Sequence, residues 1–226
     1  MTDAAATLAR TAMFDRANPT TLTRLAGHAR ESTYDNGEVV FLEGATGDAM
    51  FVVADGLVKL SCTSRNGVEL LFRTVGPGGT FGELSALDGE NRSAAAIALR
   101  DTRLLSIPAS ALRAALAGDP ALAESTLLSV AAALRATSRQ HADLVFLDLA
   151  GRVATYLLGL WERSETGLVE LELSQGDLAG LLGASRQSVN QVLRALEADG
   201  IVTRRKRGLT VLDPEALRAR VASAPA

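Results

Sequence analysis

Residues 173–212 constrain this chain more than any other stretch, because their pattern demands a helix, a tight turn, a second helix and a short hairpin in that order. Ser174 has the chemistry of a helix N-cap, and Leu178, Leu181 and Leu182 follow at helical spacing until Gly183 interrupts them. A second helix starts after Ser185, where Val189, Val192, Leu193 and Leu196 recur three and four residues apart. That stripe leaves Arg186, Gln187, Asn190, Gln191 and Arg194 on open faces. After Gly200, the β-rich runs 201–203 and 209–212 flank a turn carrying Arg204, Arg205, Lys206, Arg207 and Gly208.

These side chains have the chemistry that reads a duplex. Arg forks onto the two acceptors of guanine, Gln and Asn match the acceptor and donor of adenine, and Ser188 can reach a phosphate. Ser174 and Ser185, at the two helix starts, belong to the same expected surface. Consecutive cations repel one another and gain little from burial. A solvated wing therefore accounts for the placement of Arg205, Lys206 and Arg207, and phosphate contact accounts for their clustering. Taken singly, a basic run is also a solvated face, and two short helices are also an ordinary helical hairpin. Joined at these spacings, they point to double-stranded DNA.

A length of 226 residues is ample for two cores. With 47% hydrophobic and 22% charged residues and a net charge of −3, the composition excludes a disordered or strongly basic, nucleic-acid-coating chain. Residues 1–149 hold 13 Lys and Arg against 17 Asp and Glu, and residues 150–226 hold 10 against 9, so only local clustering supports DNA contact. The single cysteine, Cys62, excludes an intrachain disulfide framework and is expected to be a buried strand residue. His28 and His141 cannot supply the histidine set of a metal-dependent jelly-roll enzyme or an evident haem site, and no Ser-His-Asp, Walker or dinucleotide pattern occurs. The chain therefore reads as a non-enzyme. No apolar run is long enough to span a bilayer and the start carries no secretory core, so a cytoplasmic location is expected.

Between residues 37 and 107, short β-rich pieces alternate with glycine turns, the pattern of an antiparallel roll or barrel. Asn66-Gly67 is the strongest hairpin signal, since both residues tolerate positive φ. Within this region lies FGELSALDGENRSAAA, in which Gly82 and Glu83 precede Arg92 and Ser93 around one loop. An acceptor, a cation and a hydroxyl so placed suit a cyclic phosphate on a sugar. Glu83 can accept from a ribose hydroxyl, Arg92 can fork onto the phosphate, and Ser93 can add hydroxyl and amide donors. The same residues would also serve as a surface Glu83–Arg92 ion pair worth ~0 to 1 kcal/mol.

FGELSALDGENRSAAA resembles the phosphate-binding cassette of cyclic-nucleotide-binding domains. With residues 173–212 behind it, the chain resembles, over nearly its whole length, the cyclic AMP receptor protein family of bacterial transcription regulators. The resemblance implies an α+β fold: a jelly-roll β-roll cyclic-nucleotide-binding domain over residues 1–118, a dimerisation helix and hinge over 119–148, and a winged helix-turn-helix over 149–226. It implies cAMP as the effector, with cGMP left open. Gly82, Glu83, Leu84, Arg92 and Ser93 would hold the sugar and phosphate, and Thr137 and Ser138 would touch the adenine. It also implies a homodimer on a palindromic duplex, with RNA polymerase as a further partner.

Between Pro120 and Asp148 no glycine or proline interrupts a helical pattern, and Leu127, Val130, Leu134, Thr137, His141 and Leu144 alternate three and four residues apart. A helix packed on its own domain shows the same periodicity; the resemblance favours a parallel dimer seam whose polar Thr137 and His141 fix register. Residues 146–148 would then form a hinge that spaces two recognition helices for successive major grooves, about 34–36 Å apart. In the best-known members an acid and a second arginine follow the first arginine of the recognition helix by one and five residues. Here those positions are Gln187 and Gln191, so Arg186 alone retains the match and the half-site should shift toward adenine. A sensor of another signal, or of none, would keep this architecture. A nucleotide-binding subunit acting on a protein partner would leave residues 173–212 unexplained.

Overall fold

Strand alternation decides where the core of the amino-terminal half lies. The computed structural model describes residues 3–67, 69–164, 166–169, 171, 173–205 and 208–222, and the chain falls into two compact units that part between Arg135 and Ala136. In the first, α1 (Asp3–Ala9), a 3₁₀ turn (Ala12–Phe14) and α2 (Pro19–His28) lead into β1 (Arg30–Tyr34), β2 (Val39–Phe41), β3 (Ala49–Asp55), β4 (Val58–Thr63), β5 (Glu69–Val75) and β6 (Thr80–Phe81). There follow α3 (Glu83–Asp88), β7 (Ala95–Ala98), β8 (Thr102–Pro108) and α4 (Ala109–Gly118). The strands pair antiparallel into two sheets, β1-β8-β3-β6 and β2-β7-β4-β5. Along β3, Phe51 and Val53 face the second sheet and pack with Leu60, Val75, Phe81, Ala96 and Leu104. Met50 and Val52 turn the other way and pack with Leu8, Phe14, Leu25, Leu112 and Leu122 of the helices. One sheet thus lies between the other sheet and a helical layer, the expected α+β arrangement.

The Asn66-Gly67 signal locates the β4–β5 hairpin but not its geometry. Only Gly67 has a positive φ, +77°, and its amide closes a four-residue turn by donating to Ser64 O at 2.9 Å, in place of a two-residue turn with two left-handed positions. Cys62 on β4 is half-buried, less enclosed than the strand pattern implied.

The long helix α5 (Pro120–Phe146, 27 residues) matches the uninterrupted stretch in the sequence. Its start is held by Asp119, whose side chain is fully buried and accepts from Asn18 N at 2.9 Å and Leu122 N at 3.2 Å, tying the beginnings of α2 and α5 together. The Asn18 amide above all, with the Thr21 hydroxyl and the Leu122 amide, holds this carboxyl at about 2, below its ordinary 3.8. The folded state therefore favours the ionised form, and its contribution is complete above the unfolded value and lost as pH falls toward about 2. Asp119→Ala should lower the melting temperature at neutral pH, and the gap from the parent should narrow as the pH is taken from about 4 to about 2 in circular-dichroism melts.

In the second unit, α6 (Leu149–Trp161), β9 (Leu168–Val169), α7 (Gln175–Leu181), α8 (Arg186–Ala198), β10 (Val202–Arg205), β11 (Gly208–Val211) and α9 (Pro214–Ala222) enclose buried Leu157, Leu178, Leu193, Leu196, Leu209 and Leu217. The sheet order is β10-β11-β9; β9, two residues long, carries no sequence signal of its own. After α5 ends, Asp148 caps α6 by accepting from Gly151 N at 2.7 Å. Arg152 then donates to Leu147 O at 2.7 Å and to Leu182 O at 2.9 Å, and a Cβ on Gly183 would stand 2.9 Å from Leu144 Cδ2. The end of α5 is thereby fastened to the turn that precedes α8. Leu144, counted in the seam from its spacing, is half-buried against that turn, whereas Leu127 and Leu134 are 69% and 67% exposed.

Candidate functional site

Gly82 sits at the junction of β6 and α3 with φ +72°, a left-handed conformation that glycine adopts without strain. A Cβ there would lie 2.6 Å from Arg92 Nη1, so the absent side chain makes room for the guanidinium. Arg92 is only 4% exposed; Nη1 donates to Gly82 O at 2.8 Å, Nη2 donates to Ala49 O at 2.7 Å, and the group lies 4.2 Å from the Phe41 ring centroid. Glu83 opens α3 and is 9% exposed, with its Oε1 3.5 Å from Arg73 Nη2.

The surface Glu83–Arg92 pair that the sequence allowed is therefore not what forms. Both groups are buried, Arg92 is spent on two carbonyls and a ring, and the ion pair of Glu83 is with Arg73. Burial pushes the Glu83 carboxyl above its ordinary value and the Arg92 guanidinium below its own. Glu83 Oε2 and Arg92 Nε are both buried without a hydrogen-bond partner. Leaving such groups unpaired costs about 1–3 kcal/mol each, a cost that a ligand bringing a hydroxyl donor and an anionic oxygen would offset. The residues present fit a cyclic nucleotide on that ground.

Gly82, Glu83 and Arg92 are thus brought together, with Ser93 exposed beside them and Leu84 46% exposed on α3. Thr137 and Ser138 are exposed on the part of α5 that belongs to the second unit. Sequence reasoning missed Arg73, Phe41 and Ala49. The signal for Arg73 was partial: it shares strand parity with buried Val75 on β5, while the ladder slips between Arg73 and Leu71. Nothing in local pattern announces Ala49, which acts through its carbonyl.

On the second unit, Ser174 Oγ accepts from Asp177 N and Ser185 Oγ accepts from Ser188 N, both at 3.1 Å, so these hydroxyls cap α7 and α8. The Ser185 and Ser188 hydroxyls also bond each other at 2.8 Å. Between the helices, Gly183 takes φ +60° and Ala184 N donates to Ala179 O at 3.0 Å, closing the turn. With Val189, Leu193 and Leu196 buried, α8 turns Arg186, Gln187, Gln191 and Arg194 outward; Asn190 is half-buried. Gln187, Asn190, Gln191 and Arg194 line a shallow concavity. Gln175, not anticipated from the sequence, accepts on one oxygen from both Arg186 Nε at 3.2 Å and Asn190 Nδ2 at 3.0 Å. It ties two side chains of α8 together from across the turn.

The ladder of the wing runs to Arg205↔Gly208, so Arg204 and Arg205 lie in β10 instead of in the turn. Arg204 pairs with Glu197 at 3.2 Å and Arg205 Nε donates to Thr210 Oγ1 at 3.3 Å. Lys206 and Arg207 lie outside the described residues. Among the described residues no cluster of His, Cys, Asp and Glu could hold a metal ion, and no helix is long and apolar enough to cross a membrane.

Comparison with known proteins agrees with both halves. Residues 31–119 match the cyclic nucleotide-binding domain family and residues 151–220 match the Crp-like helix-turn-helix domain family. The chain is 34% identical over 218 residues to the CRP-like cAMP-activated global transcriptional regulator of Mycobacterium tuberculosis, covering 94% of this chain and 97% of that one. It is 36% identical over 169 residues to the cyclic AMP receptor protein of Thermus thermophilus, covering 75% and 77%. Among solved structures, FixK2 from Bradyrhizobium japonicum superposes with a TM-score of 0.79 at 25% identity, over 87% of this chain and 98% of that one.

Proposed function

As the chain belongs to the Crp-like family of cyclic-nucleotide-responsive, DNA-binding transcription regulators, we propose that its effector is cyclic AMP and that it works in the cytoplasm as a homodimer on a palindromic duplex, in contact with RNA polymerase. The observation that carries the effector site is the buried pair of unpartnered atoms, Glu83 Oε2 and Arg92 Nε, in one loop. The names of the Mycobacterium and Thermus relatives favour cAMP. A bound cyclic nucleotide supplies a ribose hydroxyl, an anionic phosphate and a base. Gly82 makes room, Glu83 accepts from the hydroxyl, Arg92 and Ser93 hold the phosphate, Leu84 flanks the sugar, and Thr137 and Ser138 meet the adenine. Domain roles divide as 1–118 for sensing, 119–148 for dimerisation and the hinge, and 149–226 for reading.

On the duplex, Arg186, Gln187, Asn190, Gln191 and Arg194 face base edges. Ser174, Ser185, Ser188, Arg205, Lys206 and Arg207 face phosphates, the first two alongside their capping bonds. The exposed Leu127 and Leu134 supply the apolar seam of the dimer. Because a ligand shifts an equilibrium only by its differential affinity for two states, nucleotide must bind more tightly to the DNA-competent dimer.

Selection of bound sequences from a random duplex pool, with cAMP, with cGMP and with neither, tests sensor and reader together. A two-fold symmetric site enriched with cAMP is expected; the same site at the same yield without nucleotide overturns the effector. On that site, Arg186→Ala should cost about 1–3 kcal/mol and relax one base position, while Arg205→Ala should weaken every sequence alike and reduce the salt slope by about 1. Uniform loss across sequences for Arg186→Ala would contradict its base-reading role.

A further inference from the structure

Arg73, on β5 opposite Leu60 of β4, reaches Glu83 at the start of α3. Its Nη2 lies 3.5 Å from Glu83 Oε1 and donates to Thr80 O at 3.1 Å, while its side chain remains 45% exposed. One oxygen of Glu83 is thus held by a cation and the other, Oε2, is left without a partner. The charges that face this carboxylate are Arg73 from β5 and Arg92 from the loop before β7, and Arg92 in turn faces Asp48.

We propose that Arg73 is a positioning residue of the effector site: it holds Glu83 ionised and oriented, so that Oε2 is presented as an acceptor to the ribose hydroxyl. This rests on the reading of Glu83 as a ligand contact. The physical need is plain. A buried carboxylate and an incoming phosphate place two negative charges beside Arg92, whose donors already serve Gly82 O and Ala49 O. Asp48 faces Arg92 as well, so an occupied site would hold three anions against Arg92 and Arg73, and losing Arg73 would leave Arg92 alone against all three. Burial already raises the Glu83 carboxyl and Arg73 opposes that rise, so removing Arg73 shifts the group further toward the protonated form, a donor where the ligand needs an acceptor.

The readout is the pH dependence of affinity. Titration calorimetry of cAMP against the full chain at several pH values between about 5.5 and 8.5 would be run for the parent, Arg73→Gln, Arg73→Lys and Glu83→Gln, with melts confirming that each variant folds. The parent should lose affinity toward low pH less than Arg73→Gln does. In Arg73→Gln affinity should drop by up to about tenfold per pH unit below the raised Glu83 value, recovering at high pH. Arg73→Lys should restore the parent profile, and Glu83→Gln should bind weakly at every pH. Parent-like binding by Glu83→Gln sinks the contact reading itself. Weak binding by Glu83→Gln, together with an unchanged Arg73→Gln or a pH-independent loss that lysine does not rescue, overturns the role of Arg73 alone.

Discussion

Arg92→Ala should lower cyclic-nucleotide affinity by more than about 100-fold and, in the same variant, weaken the amino-terminal unit by roughly 2–4 kcal/mol. The first effect follows from losing the cation and its buried, unpartnered Nε. The second follows from what the side chain does when no ligand is considered: it satisfies Gly82 O and Ala49 O and covers Phe41. Truncation strands two buried carbonyls and one aromatic face. As a solvated phosphate ligand, which is all the spacing of FGELSALDGENRSAAA implies, the residue would affect binding alone. Calorimetric titration with cAMP and urea unfolding monitored by circular dichroism separate the two effects. A variant that still shifts its operator in a nucleotide-dependent way would remove Arg92 from the site, and one that binds nothing yet unfolds like the parent would refute the structural share.

Leu127→Lys combined with Leu134→Lys should yield a folded monomer at micromolar concentration and cut operator affinity by at least about 100-fold. Both leucines are more than half exposed in the single chain, so replacing them leaves the cores intact. In a parallel dimer each would be buried, at about 1.5–3 kcal/mol apiece, and four lysines along one seam would add repulsion. A palindrome bound by two linked readers loses the advantage of linkage when the pair dissociates. Sedimentation velocity and gel shift on the selected duplex check the two parts; a surviving dimer would move the interface elsewhere.

Much of the carboxyl-terminal unit was legible because its signals are local. Ser174 and Ser185 as caps, Gly183 as the breaker and the stripe Val189, Leu193 and Leu196 each follow from a few neighbouring residues, and all stand where the pattern put them. The wing was placed but shifted, since strand ends are set by ladder pairing, here Arg205↔Gly208, and not by the residues themselves. The sensing loop was half legible. Spacing identified Gly82, Glu83 and Arg92, but the burial of Arg92 depends on Phe41 and on the carbonyl of Ala49, which approach from β2 and β3 across long sequence separations. Gln175 was invisible for a similar reason: its part is played toward Arg186 and Asn190, on the far side of a turn.

The joint at the end of α5 sets how faithfully a displacement travels. Arg152 grips one carbonyl ahead of α6 and one ahead of α8, and a Cβ on Gly183 would require the end of the Leu144 side chain to move. A twist of the last turn of the long rod would thus be handed to the recognition helix through two hydrogen bonds and one side-chain contact. Removing the Arg152 side chain would leave both carbonyls without this donor and introduce slack at the joint while leaving the helix ends themselves unchanged.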